Sequence, residues 1–156
     1  MQERAETLRE PRILAFLCKW CAYAGADLAG TTRKHYDPNL ISIRVTCSGR
    51  VDPAHVLEAL AEGYDGVLIG GCHPGTCHYM TGNYKASRRM ALLKRLLKQM
   101  GVPSQRVRLE WISASEGDRF TAVVNEMIDS LRKLEPRPPL GQRKLEPIPS
   151  AARASK

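Results

Sequence analysis

The sequence predicts an α/β fold, a small doubly wound sheet of four mostly parallel strands in the order 2-1-3-4 with helices on both faces. Three observations carry this. Four short apolar or β-branched runs recur along the chain, amphipathic helical patterns separate them, and 43% hydrophobic residues in 156 positions is enough for one packed core without disulfides. Strands alternating with helices imply parallel pairing through right-handed crossovers, so the sheet is covered on both sides. The pattern places an N-terminal extension at residues 1–11, one α/β domain at 12–135 and a tail at 136–156.

The elements follow in order. "RILAFLC" (12–18) is an apolar run of strand length, and "CAYAGADLAGTTR" after it is a small-residue helix able to pack close to strands. "LISIRVTC" (40–47) is the second strand. Asp52 then offers an N-cap with Pro53 at the first helical position, leading into Val56, Leu57 and Leu60 on one face. "YDGVLIGGC" (64–72) is the third strand. The next helix, from Asn83, sets Leu93, Leu96, Leu97 and Met100 against a face of Lys and Arg and stops at Gly101. "RVRLEWIS" (106–113) is the fourth strand. The last helix opens at Ser115, with Asp118 three residues on as a capping box, and buries Phe120, Val124, Met127, Ile128 and Leu131. The whole is flavodoxin-like in outline.

The formal charge is +8, half of it in the tail, where Arg137, Arg143, Lys144, Arg153 and Lys156 face Glu146 alone. That tail is Pro-rich without helical periodicity, which predicts an extended segment or one ordered by a partner protein. The basic helix carries Lys85, Arg88, Arg89, Lys94, Arg95 and Lys98, either a solvated face or a dock for an acidic partner. Aromatic residues are too few and scattered for a base-stacking platform, which argues against nucleic acid. The apolar run Ile13 to Leu17 is too short for a signal h-region or a membrane span, so a cytoplasmic protein is expected.

The chemistry lies in five cysteines: Cys18, Cys21, Cys47, Cys72 and Cys77. An odd number in a chain without a secretory signal points away from a disulfide framework and toward metal or redox use. Cys18, Cys47 and Cys72 fall at the ends of the first three strands, and Cys21 and Cys77 in the loops that follow. Ligands of a doubly wound sheet bind outside the carboxyl ends of its strands. With strand 1 between strands 2 and 3, and neighbouring strands about 4.8 Å apart, all five thiols can gather at one sheet edge.

Three uses compete. Cys18-Lys19-Trp20-Cys21 alone would serve a thioredoxin-like dithiol, which leaves three cysteines unexplained. Structural zinc and an iron–sulfur cluster each need four thiolates, and spacing leaves both open. His73 and His78 lack the second half of a Rieske pattern and are expected to donate to sulfur or carbonyl groups; His35 and His55 read as surface residues. Gly70, Gly71 and Gly75 permit a tight turn but form no nucleotide-binding motif.

"CKWCAYAGADLAG", "VTCSGRVDP", "GGCHPGTCHYMTGNYKASRR" and "RLEWISASEGDRF", in this order, closely resemble the delta subunit of methyl-viologen-reducing hydrogenase over roughly residues 12 to 134. The resemblance implies a non-catalytic electron-transfer protein carrying one [2Fe–2S] cluster. In that family it connects a hydrogenase, or a replacement such as formate dehydrogenase, to the flavin-containing heterodisulfide reductase A-like protein, where electron bifurcation takes place. Similar chains occur in other heterodisulfide-reductase-like assemblies, including those attached to benzoyl-CoA reductases. The ligand candidates carried over are Cys18, Cys21, Cys47, Cys72 and Cys77. Five thiols exceed what one such cluster uses, so Cys21, Cys72 and Cys77 are expected as ligands, with Cys18 or Cys47 as the fourth. Backbone N–H groups in 72–77 and 47–50, with Ser48 and Thr76, are the expected donors to sulfur, and Lys19 and Arg50 the nearby positive charges. The alternative is a zinc-stabilised interaction module with no redox role.

Overall fold

A computed structural model describes residues 10–136; the expectations for most of the N-terminal extension and for the tail from Arg137 onward lie outside the described residues. β1 (Ile13–Cys18), β2 (Leu40–Val45), β3 (Gly66–Gly71) and β4 (Val107–Trp111) form one sheet in the order β2-β1-β3-β4. Every pairing is parallel, and the register aligns Cys18 with Val45, Leu17 with Gly70 and Gly71 with Trp111. The carboxyl ends of all four strands are therefore level. β1 and β3 are buried along their whole length, which is why they read as unbroken apolar runs. β2 is an edge strand, and Ile41 and Ile43 remain exposed on it.

α1 (Ala22–Thr31) and α4 (Gly117–Arg132) cover one face; α2 (Pro53–Ala61) and α3 (Gly82–Gln99) cover the other. The period of two in β1 sorts its residues: Ile13, Ala15 and Leu17 meet Ala22, Phe120 and Ile128, while Leu14 and Phe16 meet Val56, Met90 and Leu97. Short 3₁₀ turns, Ser48–Arg50 and Ser104–Arg106, precede α2 and β4. The small residues of α1 are used as expected, though against the β4–α4 loop as well as the sheet. A Cβ on Gly25 would sit 2.8 Å from the Ser113 carbonyl oxygen. α2 starts as the sequence predicts: Asp52 accepts the Ala54 N–H at 2.9 Å, and His55 Nδ1 accepts the Asp52 N–H at 3.3 Å, completing a reciprocal cap.

Two helical expectations are corrected. α3 buries Ala86, Met90, Leu93 and Leu97, leaving Leu96 and Met100 exposed. Its stripe is fixed at the start, where Asn83 and Ala86 must face inward, and Leu96 then falls about 100° off the line. α4 begins at Gly117, not Ser115. The Glu116 carboxylate accepts the Ser113 N–H at 2.7 Å, which folds residues 113–116 into a turn of their own. Asp118 instead pairs with Lys34. Among the described residues no helix is long and apolar enough to cross a membrane.

Candidate metal centre

The level carboxyl edge carries the cysteines. Cys18 closes β1, Cys21 stands at the N-cap of α1, Cys47 is two residues past β2, Cys72 one past β3, and Cys77 lies in the loop before α3. All five thiols are free and buried. The parallel order brings them together as the sequence implied, in an arrangement of three plus two. The sulfurs of Cys18, Cys21 and Cys72 lie within 4.8 Å of one another, with Cys18 to Cys72 at 4.0 Å. Cys47 and Cys77 form a second, interacting pair beside them, and Cys47 feels the charge of Cys18.

Backbone N–H groups converge on this edge because two helices and a 3₁₀ turn begin there. The Gly49 N–H donates to Cys47 Sγ at 3.4 Å. The backbone N–H groups of Trp20 and Ser48 favour the charged form of Cys18, that of His78 the charged form of Cys72, and those of Asn83, Tyr79 and Gly82 the charged form of Cys77. The donors thus include 48 and 49 as expected, but the rest come from Trp20 and 78–83 rather than 72–77. The Thr76 hydroxyl donates to the His73 carbonyl at 2.8 Å instead.

These donors favour the thiolate at Cys18 and Cys77. The hydrogen bond from Cys21 pulls the Cys18 thiol down to about 6, against burial, with help from the N–H groups and Cys72. The same bond, joined by burial, pushes Cys21 up. Burial raises Cys47 and Cys72. At Cys77 burial also pushes upward, yet three backbone donors and Cys47 outweigh it and the thiol ends below its ordinary value. A cation placed among these sulfurs would complete the ionisation of the others.

Close approach of α3 is part of the geometry. A Cβ on Gly82 would lie 2.1 Å from Cys47 Sγ and 3.2 Å from Cys77 Sγ, and one on Gly49 would lie 2.7 Å from the Gly82 carbonyl oxygen. Only glycine lets the helix N-terminus and the 3₁₀ turn press on the two sulfurs. Asn83, 1% exposed, ties the loop down: its Nδ2 donates to the carbonyls of Cys72 at 3.1 Å and His73 at 2.9 Å.

The histidines differ in detail from expectation. His73 Nε2 meets Glu116 Oε2 at 2.6 Å, and the His78 ring stacks on Trp20 with centroids 3.8 Å apart; the partners are a carboxylate and an indole. The Ser113 N–H and His73 hold Glu116 down to about 2. Sequence reasoning missed Asn83, Gly82, Trp20 and Glu116. A signal existed for the first two, a Gly-Asn pair where a thiol loop meets a helix start.

A tetrahedral tetrathiolate with metal–sulfur bonds of about 2.3 Å spaces its sulfurs about 3.8 Å apart. The Cys18–Cys72 spacing, the supply of more than four soft donors and the ring of N–H groups fit such a centre. Fold and site together define a doubly wound α/β domain with a thiolate cage at its strand ends, a soft-metal or iron–sulfur site.

Residues 13–135 match the family described as methyl-viologen-reducing hydrogenase, delta subunit, and the chain belongs to that family. It is 53% identical over 127 residues to the iron-sulfur D-type component of the F420-non-reducing hydrogenase of Archaeoglobus profundus, covering 81% of this chain and 93% of that one. With the corresponding iron-sulfur component of the vhc F420-non-reducing hydrogenase of Methanococcus voltae the identity is 50% over 127 residues, 81% of this chain and 88% of the other. A third relative is the A-type component of the ferredoxin:CoB-CoM heterodisulfide reductase of Methanosarcina mazei, 46% identical over 138 residues, which span 86% of this chain but 17% of that protein.

Proposed function

We propose that this chain is the electron-transfer component of an oxidoreductase complex and holds one [2Fe–2S] cluster on four of its five cysteines. Single electrons pass between a hydrogenase- or formate dehydrogenase-type module and a flavin-containing heterodisulfide reductase A-like protein, in a cytoplasmic, electron-bifurcating assembly. The observation that carries the reading is the convergence of Cys18, Cys21 and Cys72 within 4.8 Å at the carboxyl edge of the sheet, beside the Cys47–Cys77 pair. The names of the relatives support it: several are iron-sulfur components of hydrogenases, and a domain like this one is part of a heterodisulfide reductase chain.

When bound, such a cluster supplies reversible one-electron transfer. The chain's own residues hold it and set its environment. Of the two completions left open by the sequence, the compact trio favours Cys18 over Cys47, giving Cys18, Cys21, Cys72 and Cys77 as ligands. Cys77 is the better fourth thiolate because Asn83, Tyr79 and Gly82 already stabilise its charge. Cys47, with only the Gly49 N–H as backbone donor, is the spare. The N–H groups stabilise added negative charge, Arg50 stands beside Cys47, and the buried sulfurs are kept from bulk water. Cys→Ser variants at the five positions, assayed for iron, test the assignment. Iron retained in Cys47→Ser alone supports it; equal loss in all five contradicts the spare thiol.

A further inference from the structure

The surface over the thiol cage is apolar and aromatic. Trp20, between Cys18 and Cys21, stacks on the His78 ring at 3.8 Å, and its indole N–H donates to the Tyr79 hydroxyl at 3.3 Å. His78 and Tyr79 meet edge to face at 4.9 Å. Trp20, Tyr79, Met80 and Tyr84 are 44%, 49%, 80% and 46% exposed. Trp20 and Tyr79 are in direct contact and Met80 follows Tyr79, so these three form one patch, with Tyr84 at the adjoining start of α3, the kind of exposed apolar surface that marks an interface.

Met80 is the sharpest feature of the patch. Its φ is 65°, a left-handed backbone that non-glycine residues adopt at a cost. The Met80 N–H donates to the Cys77 carbonyl at 2.8 Å and the Thr81 N–H to the Tyr79 carbonyl at 2.7 Å, closing the turn that holds it there. At 80% exposure the side chain returns almost no packing to this chain. The strained turn presents a flexible apolar knob on the loop that carries Cys77, and methionine suits adaptable contact surfaces.

The rim is positive. Lys19 lies over the Trp20 ring at 4.6 Å, and Arg50 and Lys85 line a cavity of about 360 Å³ that Tyr79 and Cys47 share. Arg89 on α3 adds a third cation beside them, its guanidinium donating to the Gly49 carbonyl at 2.6 Å. A surface apolar at its centre and cationic at its edge complements a partner apolar at its centre and anionic at its edge.

We propose that Met80, flanked by Trp20, Tyr79 and Tyr84, anchors a redox partner that seats an apolar hollow ringed by carboxylates directly over the cage. The inference rests on the electron-transfer reading above and adds where the electron crosses and what the partner's surface must be. In the Methanosarcina relatives the equivalent domain is part of a heterodisulfide reductase A-type chain, so a separately prepared heterodisulfide reductase A-type flavoprotein from the same organism is the probe.

The experiment measures binding of the metal-loaded full chain to immobilised flavoprotein, with iron content read on each sample. Met80→Glu is expected to weaken binding at least about 10-fold, Met80→Leu to stay within about 3-fold, and Lys85→Glu to weaken it and reduce its salt dependence, as for a central anchor inside a charged rim. Iron content should match the unmodified chain in all three. The proposal is overturned if Met80→Glu binds like the parent, if Leu96→Glu on the far part of α3 weakens binding equally, or if the parent does not bind at about 100 μM, a weak encounter by any standard. It is overturned too if the patch proves to join two copies of this chain, seen as self-association that Met80→Glu abolishes. A chain without iron that still needs Met80 would sink the electron-transfer reading and leave the docking surface standing; an iron-loaded chain indifferent to Met80 would do the reverse.

Discussion

Replacing Gly82 by alanine tests how tightly the helix start and the thiols are interlocked. The new methyl would stand 2.1 Å from Cys47 Sγ, about 1.4 Å short of the roughly 3.5 Å of an ordinary nonbonded contact. Two escapes exist. Cys47 can rotate away, losing the Gly49 N–H at 3.4 Å and its contact with Cys77. Alternatively the α3 N-terminus can withdraw, opening the Gly49–Gly82 backbone contact and taking the Gly82 and Asn83 N–H groups off Cys77. Overpacking of this kind costs about 1–3 kcal/mol, and each kcal/mol lowers the melting midpoint of a chain this size by about 2–4 °C. On the second route Cys77, a proposed ligand, is disturbed beyond the about 0.2 Å that metal–ligand distances allow, and bound iron should fall below half of the parent's. In a Cys47→Ala background the nearest remaining atom is Cys77 Sγ at 3.2 Å, a tight contact but no longer a clash, and Gly82→Ala should there cost at least about 1 kcal/mol less. Gly30→Ala, with nothing within 4 Å of its added methyl, is the control and should raise the midpoint by an amount matching about 0.5–1 kcal/mol. Melting curves and iron assays on the set decide: full iron and an unchanged midpoint in Gly82→Ala, or an equal cost in both backgrounds, would refute the reasoning.

Three further outcomes are expected. Glu116 is held at about 2 against an ordinary 4.5; a lowered carboxylate contributes stability above its unfolded value that is lost as pH falls from about 4.5 toward 2. Because that side chain is a third exposed, the contribution is discounted to about 1 kcal/mol, and Glu116→Gln should flatten the melting midpoint of metal-free protein across that window; a midpoint that still falls as steeply would remove Glu116 from the account. Arg50→Ala should lower the reduction midpoint, since a positive charge favours the reduced, more negative centre, by less than about 40 mV because the charge is exposed; a redox titration showing no change would discard Arg50. Asn83→Ala strands two loop carbonyls and should cost about 1–3 kcal/mol with faster iron loss, whereas a midpoint within about 1 °C would show that Asn83 is no strut.

The strand order and the cysteine edge were legible because their signals are local. β1 and β3 are buried on both faces and read as continuous apolar runs, and cysteines recur at or just after the strand ends. α3 was misjudged because its leucines offer two overlapping stripes, Leu93 with Leu97 and Leu92 with Leu96, and the choice is made at Asn83 and Ala86, well before them in the helix. Ser115 and Asp118 imitate a capping box, but the carboxylate that organises the turn is Glu116, whose partner His73 is 43 residues away. The division of the thiols into three and two depends on loop paths that spacing does not specify. Asn83 reads from sequence only as the start of a helix, and the fold alone shows its amide holding the carbonyls of Cys72 and His73.

The central claim is that the cage holds a redox cluster, and the most direct measurement is the iron, acid-labile sulfide and zinc content of anaerobically purified chain, with EPR after reduction. Coloured protein with about two irons and two sulfides per chain and a paramagnetic signal on one-electron reduction is expected. Colourless protein with about one zinc per chain and no sulfide would contradict it and leave the zinc-stabilised interaction module.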